Sequence, residues 1–191
     1  HNIEALAAHE TFERRFERDF ANKSNVVVPG LYNLDNYLVS QTPATGFADA
    51  SAIESYFGQV NYNFANKYFI SGSLRTDGSS RFVNNKWGTF GSIGASWIVS
   101  EEDFMQDTFL SYLKAKASWG VTGDQQGVNE ASGFNTFEAQ LVGGNLALVF
   151  DDAGNPDLTW ETTRQLQAGL EMSFGNYLDA NFDYYRKNTD N

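Results

Sequence analysis

Apolar and polar residues alternate one by one along much of this chain. In Tyr56–Phe64, YFGQVNYNF, one side of an extended strand carries Tyr56, Gly58, Val60, Tyr62 and Phe64, and the other carries Phe57, Gln59, Asn61 and Asn63. Ala65-Asn66-Lys67 forms a tight turn into a second run, where Tyr68, Ile70, Gly72 and Leu74 oppose Phe69, Ser71, Ser73 and Arg75. Together they predict a hairpin. The same period recurs in Trp87–Val99, Tyr112–Val121, Leu166–Phe174 and Leu178–Tyr184. The segment Ile3–Phe20 alternates less cleanly. A strand is expected there, but Phe12, Phe16 and Phe20 recur at helical spacing, and a helix remains open.

The connections alternate in length. Residues 65–67 and 175–177 are short turns, and 100–110, SEEDFMQDTFL, is a medium one with a helical turn expected after a Ser100 cap. Long polar connections are expected over 21–52, 76–86 and 122–157. Short turns at one end and long loops at the other are the asymmetry of an outer-membrane barrel. The apolar face is free of charge across six runs, and Tyr56, Phe64, Tyr68, Trp97, Trp119, Phe174 and Tyr184 stand near strand ends. Tyr and Trp favour such interfacial positions, half apolar and half wet. The predicted fold class is all-β: an antiparallel transmembrane β-barrel segment of about seven strands. Seven strands do not close a barrel of this kind, and open edges in lipid leave backbone groups unpaired, so a longer parent chain is expected to supply the rest. A water-soluble β-sandwich that binds carbohydrate through Trp87, Trp119 or Trp160 is the rival reading.

Composition narrows the partners. A formal net charge of -11 argues against nucleic acid, and without cysteine there is no disulfide and no thiolate for catalysis or metal binding. No apolar run approaches the length of a membrane helix. The opening HNIEALAAHE has neither an initiator methionine nor a basic-then-apolar leader, and reads as the start of an excised piece.

Four runs then carry a resemblance: SLRTDGSSRF (73–82), WGTFGSIGASWIVSEEDFM (87–105), LKAKASWGVTGDQ (113–125) and NPDLTWETTRQLQAGLE (155–171). With YFGQVNYNF and KYFISG they cover about residues 56–189 and resemble the barrel of SusC/RagA-type TonB-dependent transporters. Residues 1–55 fit the preceding strand and loop loosely. Gly91 and Asp124 stand where proline and asparagine are common. The resemblance implies an outer-membrane importer with a barrel of about 22 strands and an N-terminal plug. It also implies a TonB complex that acts through that N-terminal region and a SusD-like surface lipoprotein as lid. Cargo would be oligosaccharides or peptides. On this reading residues 1–191 are part of the barrel domain, without plug, signal peptide, TonB-contacting segment or barrel closure. The end KNTDN lacks the terminal aromatic strand of such a barrel, so this piece cannot transport by itself. A siderophore-type receptor without a lid lipoprotein is the alternative within the same architecture.

Candidate sites follow from the polar face. Arg75, Lys114, Lys116, Glu171, Asp179 and Asp183 are expected to face the lumen, where mixed charge suits a removable plug. In LRTDGSSRF the alternation is expected to stop near Arg75, with Asp77-Gly78 as a turn, Ser79, Ser80 and Arg81 bonding within the loop or to lipopolysaccharide, and Phe82 at the rim. Asp77, Arg81, Asp151 and Asp152 are the candidate extracellular-loop residues. DDAGNPD (151–157) lacks the spacing of an EF-hand. Glu101, Glu102 and Asp103 read as charge at a helix N-terminus rather than a catalytic pair. His1 and His9 have no companions at metal-ligand spacing. No catalytic, metal-binding or cofactor-binding residue is expected. The outer-membrane lipid is the expected surround.

Overall fold

The computed structural model describes residues 1–40, 43–106 and 108–190. Gln41, Thr42, Asp107 and Asn191, which belong to the expected connections 21–52 and 100–110 and to the KNTDN end, lie outside the described residues.

Seven long strands build one antiparallel sheet: β1 (Asn2–Phe20), β4 (Thr45–Phe64), β5 (Tyr68–Ser79), β6 (Trp87–Ile98), β7 (Tyr112–Asp124), β10 (Glu161–Phe174) and β11 (Leu178–Asp190). They neighbour one another in chain order. Two small hairpins are inserted into the long connections, β2 (Lys23–Val26) with β3 (Tyr37–Ser40), and β8 (Thr136–Val142) with β9 (Asn145–Asp152). Residues 2–20 are therefore strand, not helix. The phenylalanines at every fourth position share a face in either geometry, because four is also an even number of strand residues.

The strands overrun the lengths read from alternation. β4 starts at Thr45 and β5 continues to Ser79, so the first two long connections are shorter than expected, while the third, between Asp124 and Glu161, keeps its length and is displaced along the chain. The medium connection holds two single turns of 3-10 helix, Val99–Glu101 and Asp103–Met105, and neither has a side-chain cap. Ser100 lies inside the first and does not cap it.

Register locks the two faces. One row crosses all seven strands as Ile3, Tyr62, Ile70, Ala95, Ala117, Ala168 and Tyr184. The adjacent row runs Glu4, Asn61, Ser71, Gly94, Ser118, Gln167 and Tyr185 on the opposite face. The apolar row has little protein above it: Ile3, Ile70 and Tyr184 are all exposed. Among the described residues the buried apolar core is Phe82, Phe90 and Trp160 alone. A water-soluble domain of this length buries far more. The apolar sheet face thus needs an apolar medium, which favours the barrel wall over the sandwich. Trp160, a surface aromatic in the sandwich reading, is in fact part of the core.

Candidate functional site

The polar face carries two charged clusters. In the first, Lys116 Nζ lies 2.9 Å from Glu171 and 3.2 Å from Asp183, and Lys114 Nζ lies 3.7 Å from Glu171. β10 separates Lys116 from Asp183. They meet because the position between them is Gly169, where a Cβ would stand 2.2 Å from the Asp183 carboxylate. In the second, Arg75 donates to Asp77 at 2.6 Å, Ser55 at 2.8 Å and Glu10 at 3.2 Å, while its guanidinium lies 5.1 Å from the centre of the Phe57 ring. Four of the six expected polar-face residues thus form one cluster, and Arg75 anchors another. Asp179 is aligned with Ser173 and stands apart from both. Below Arg75, a shallow concavity of about 530 Å³ is lined by Asn61, Asn63, Phe69, Ser96, Lys116 and Gln167.

The end of the sheet with long connections is where the expectations need correction. Asp77 is not a loop residue. It sits within β5, is buried, and pairs with Arg75. Gly78 is not a turn glycine either: it is aligned with Trp87, and a Cβ there would stand 2.9 Å from the Trp87 ring, so it provides the seat for that ring. The alternation looked broken because small and polar residues line this stretch of both faces. The true loop begins at Ser80, whose hydroxyl accepts from the Ala52 amide at 2.9 Å. Arg81 donates to the carbonyls of Gln125 and Val128 at 3.2 and 2.9 Å and to Glu130 at 2.8 Å, tying its loop to the next. Its carboxylate partner Glu130 is held below the usual range by its own backbone amide and by Arg81. Phe82 is fully buried between these loops and the sheet, not at a rim. Its ring packs tilted against Trp160 at 5.2 Å, and Trp160 meets Phe90 edge-on at 5.4 Å. This core fills the fork where β6 and β7, paired up to Gly91 and Val121, part company. Asp151 and Asp152 end β9 within the inserted hairpin rather than lying in an irregular loop. There they accept from Thr136 and from the Ala153 amide, both at 2.9 Å.

At the short-turn end, Glu102 accepts from the Tyr68 hydroxyl at 2.6 Å and the Trp97 indole at 3.1 Å, with Lys67 at 3.6 Å. The hydroxyl bond, then the indole bond and Lys67, hold its carboxyl below the usual range. Glu101 and Asp103 do lie in first turns of the two 3-10 helices and Glu102 stands at the N-cap of the second, but its carboxylate caps no amide and clamps the aromatic row.

The family profile described as TonB dependent receptor-like, beta-barrel matches residues 6–191. The chain belongs to that family. It is similar to the TonB-dependent receptor SusC of Bacteroides thetaiotaomicron, 36% identical over 76% of this chain and 16% of SusC. It is also similar to the TonB-dependent receptor P3 of Formosa agariphila, 32% identical over 100% of this chain and 20% of that receptor. Among solved structures it is similar to the RagAB peptide transporter, with 29% identity, a TM-score of 0.87, and coverage of 98% of this chain and 21% of that one. The chain therefore spans about a fifth or less of the length of these relatives. The expected SusC/RagA-like barrel segment stands.

A barrel wall has a lipid side and a lumen side, and the apolar rows and the charged clusters are the faces expected to meet them. Phe64, Tyr68 and Trp97 then form an aromatic girdle at the short-turn end, with Tyr68 and Trp97 rings 6.2 Å apart. Along β1 the polarity of the two faces reverses. Up to His9 the apolar face carries Ile3, Ala5 and Ala7. Beyond Thr11 that face carries Glu13, Arg15, Glu17 and Asp19, while the opposite face reads Phe12, Arg14, Phe16, Arg18, Phe20. Among the described residues the sheet narrows here to β1 and β4, because the pairing of β5 with β4 ends at Ile53. Phe47 of β4 packs 5.7 Å from Phe16. This alternating Phe/Arg strip went unread in the sequence because the phenylalanines were weighed at helical spacing, without the arginines between them.

Proposed function

We propose that this chain is part of the wall of an outer-membrane, TonB-dependent active importer of the SusC/RagA type, taking up nutrients such as oligosaccharides or peptides. The observation that carries the reading is the division of seven consecutive strands into an apolar lipid face, charged only towards the end with long connections, and a lumen face with two ion-pair clusters. Lumenal charge of both signs, half-exposed, suits contact with a plug that must leave and return: such pairs exchange readily with water and hold no dry core. On this reading residues 1–191 lie wholly in the barrel domain. The plug, the segment reached by the TonB complex and the remaining strands belong to the rest of the parent protein, and a SusD-like lipoprotein covers the mouth.

The wall is the stationary part of such a machine. The chain matches the RagAB peptide importer in its closed-closed state with a TM-score of 0.87 and in its open-open state with 0.86. That near-equality supports placing the motion in lid and plug. No step here is chemical catalysis: passage is bound, gated and driven from outside this segment.

The test is extraction of the full-length protein from outer membranes in detergent, with its companions identified by mass spectrometry. A stoichiometric surface lipoprotein is the expected result. Recovery alone from the membrane would favour the siderophore-type receptor, and recovery from the soluble fraction would end the membrane reading.

A further inference from the structure

The connection between β6 and β7 is larger than its strand ends require. At the same end of the sheet, residues 65–67 and 175–177 each close a hairpin with a tight turn. Residues 99–111 instead carry two turns of 3-10 helix and the exposed rings of Phe104 and Phe109. Neither ring hangs free. Phe104 meets the Trp97 ring edge-on at 6.4 Å, and Phe109 stacks on Phe174 at 5.9 Å. Both of these partners belong to the apolar face. Trp97, Ala115 and Leu170 are aligned in one row, and Phe174, four residues beyond Leu170 on the same strand, points the same way.

The connection is fixed from both sides. Glu102 accepts from Tyr68 on β5 and Trp97 on β6, while the Ser111 amide and hydroxyl both donate to the Ser173 carbonyl on β10, at 2.9 and 3.0 Å. It therefore spreads sideways over β5, β6, β7 and β10, and its two phenylalanines turn outward onto the apolar face rather than inward over the polar one. Each of these strands has both of its sheet neighbours within the chain, so the open edges at β1 and β11 play no part here. Phe104 stays 68% exposed and Phe109 79%, although each already packs on a ring. Whatever medium covers Trp97 and Phe174 is continuous with these two rings. Glu101 and Asp103 beside them are exposed as well, which suits a wet head-group layer and not an acyl interior. In a barrel the short-turn end is periplasmic, and aromatic rings gather at the membrane boundary.

We propose that residues 99–111 form an interfacial foot seated in the periplasmic leaflet, with Phe104 and Phe109 docked among the glycerol groups and first acyl carbons of its phospholipids. This rests on the reading of the chain as a barrel wall, and it puts a connection, and not strands alone, in contact with lipid. The foot widens the girdle of Phe64, Tyr68 and Trp97. It holds the wall at a fixed depth when the plug is drawn towards the periplasm.

The test uses the full-length protein in nanodiscs of phosphatidylethanolamine and phosphatidylglycerol. The photo-crosslinker p-benzoylphenylalanine is placed, one site at a time, at Phe104, Phe109, Glu101 and Ile93, and lipid adducts are counted by mass spectrometry. Ile93 lies in the middle of the apolar face and reports on the barrel reading alone. Adducts at Phe104 and Phe109 are expected to match those at Ile93 and to exceed those at Glu101 by about tenfold, the low end for burying a phenylalanine ring. Should the label at Phe104 disturb its turn, Phe109 gives an independent comparison, because its ring partner is on a different strand. Lipid adducts at Ile93 with none at Phe104 and Phe109 would overturn the foot and leave the barrel standing. Adducts to another protein at those two positions, in native outer membranes, would overturn it too and mark a periplasmic docking surface. Absence of lipid adducts at Ile93 itself would end the barrel reading and the foot together.

Discussion

Lys116 on β7 and Asp183 on β11 stand 3.2 Å apart although a whole strand lies between them. Gly169 on that strand makes the contact possible. A Cβ there would also stand 2.7 Å from Lys116 Cε and 3.0 Å from the Phe182 carbonyl oxygen, and the last of these is backbone that cannot swing away. Gly169→Ala is therefore expected to separate Lys116 from Asp183 and to destabilise the refolded full-length barrel by about 1–2 kcal/mol, most of it from crowding because half-exposed ion pairs contribute little. Urea unfolding in detergent measures this. Asp183→Ala in the Gly169→Ala background should then cost almost nothing more.

The Arg75 cluster joins three strands through one guanidinium. Asp77 is its most sheltered partner. Asp77→Ala should cost about 1–3 kcal/mol, the range for a buried group that loses a charged partner, whereas Glu10→Ala should cost under about 1 kcal/mol because that pair is open to solvent. A double-mutant cycle with Arg75→Ala resolves the two, and equal coupling for Glu10 and Asp77 would contradict the assignment.

Turn geometry yields a gain rather than a loss. Ala65 has φ of 54° and Asn66 of 57°, both left-handed, in the turn closed by the Lys67 amide on the Phe64 carbonyl at 3.1 Å. Asparagine tolerates that region and alanine does not. In the matching turn before β11 the first position is Gly175, with φ of 58°. Ala65→Gly is expected to stabilise the hairpin by about 0.5–1 kcal/mol after the entropic cost of glycine, and Gly175→Ala to destabilise its own by a similar amount. Opposite signs in the same unfolding assay are the required result.

The Glu102 clamp predicts a pH response at the short-turn rim. Its carboxyl is held below the ordinary value of 4.5 in the folded state, first by the Tyr68 hydroxyl. The folded state thus binds this proton less readily than the unfolded one. The stabilisation is fully present above the unfolded value and is lost as pH falls through the lower folded value. Hydrogen exchange at the 99–106 connection should therefore rise on acidification below that range in the wild type. In Glu102→Gln it should already be raised at neutral pH and change less with acid.

The strand content and the two faces were legible because alternation is the direct imprint of a sheet with different media on its two sides. Tyr56–Phe64 and Leu166–Phe174 show it without ambiguity. That Lys114, Lys116, Glu171 and Asp183 share a face was legible for the same reason, since parity alone puts all four together. The strand ends were not. Asp77 and Gly78 have the composition of a turn, but a cross-strand tryptophan and the polar-face Arg75 hold them in β5. The role of Phe82 was hidden as well, because its partners Phe90 and Trp160 are distant in the chain and meet only where β6 and β7 diverge. Glu102 does stand at the N-terminus of a 3-10 turn, but its carboxylate is taken by a tyrosine on β5 and a tryptophan on β6, contacts that no local signal shows.

The reversal of polarity along β1 constrains how the strand can change in length. One residue added between His9 and Phe12 would turn the Phe12-to-Phe20 strip outward, and Glu13, Arg15 and Glu17 inward, while Ile3 to His9 kept their places. Two added residues would leave both halves correctly oriented and only lift the mouth. Length variation at this point is thus quantised in pairs, and an odd insertion survives only where a bulge absorbs it.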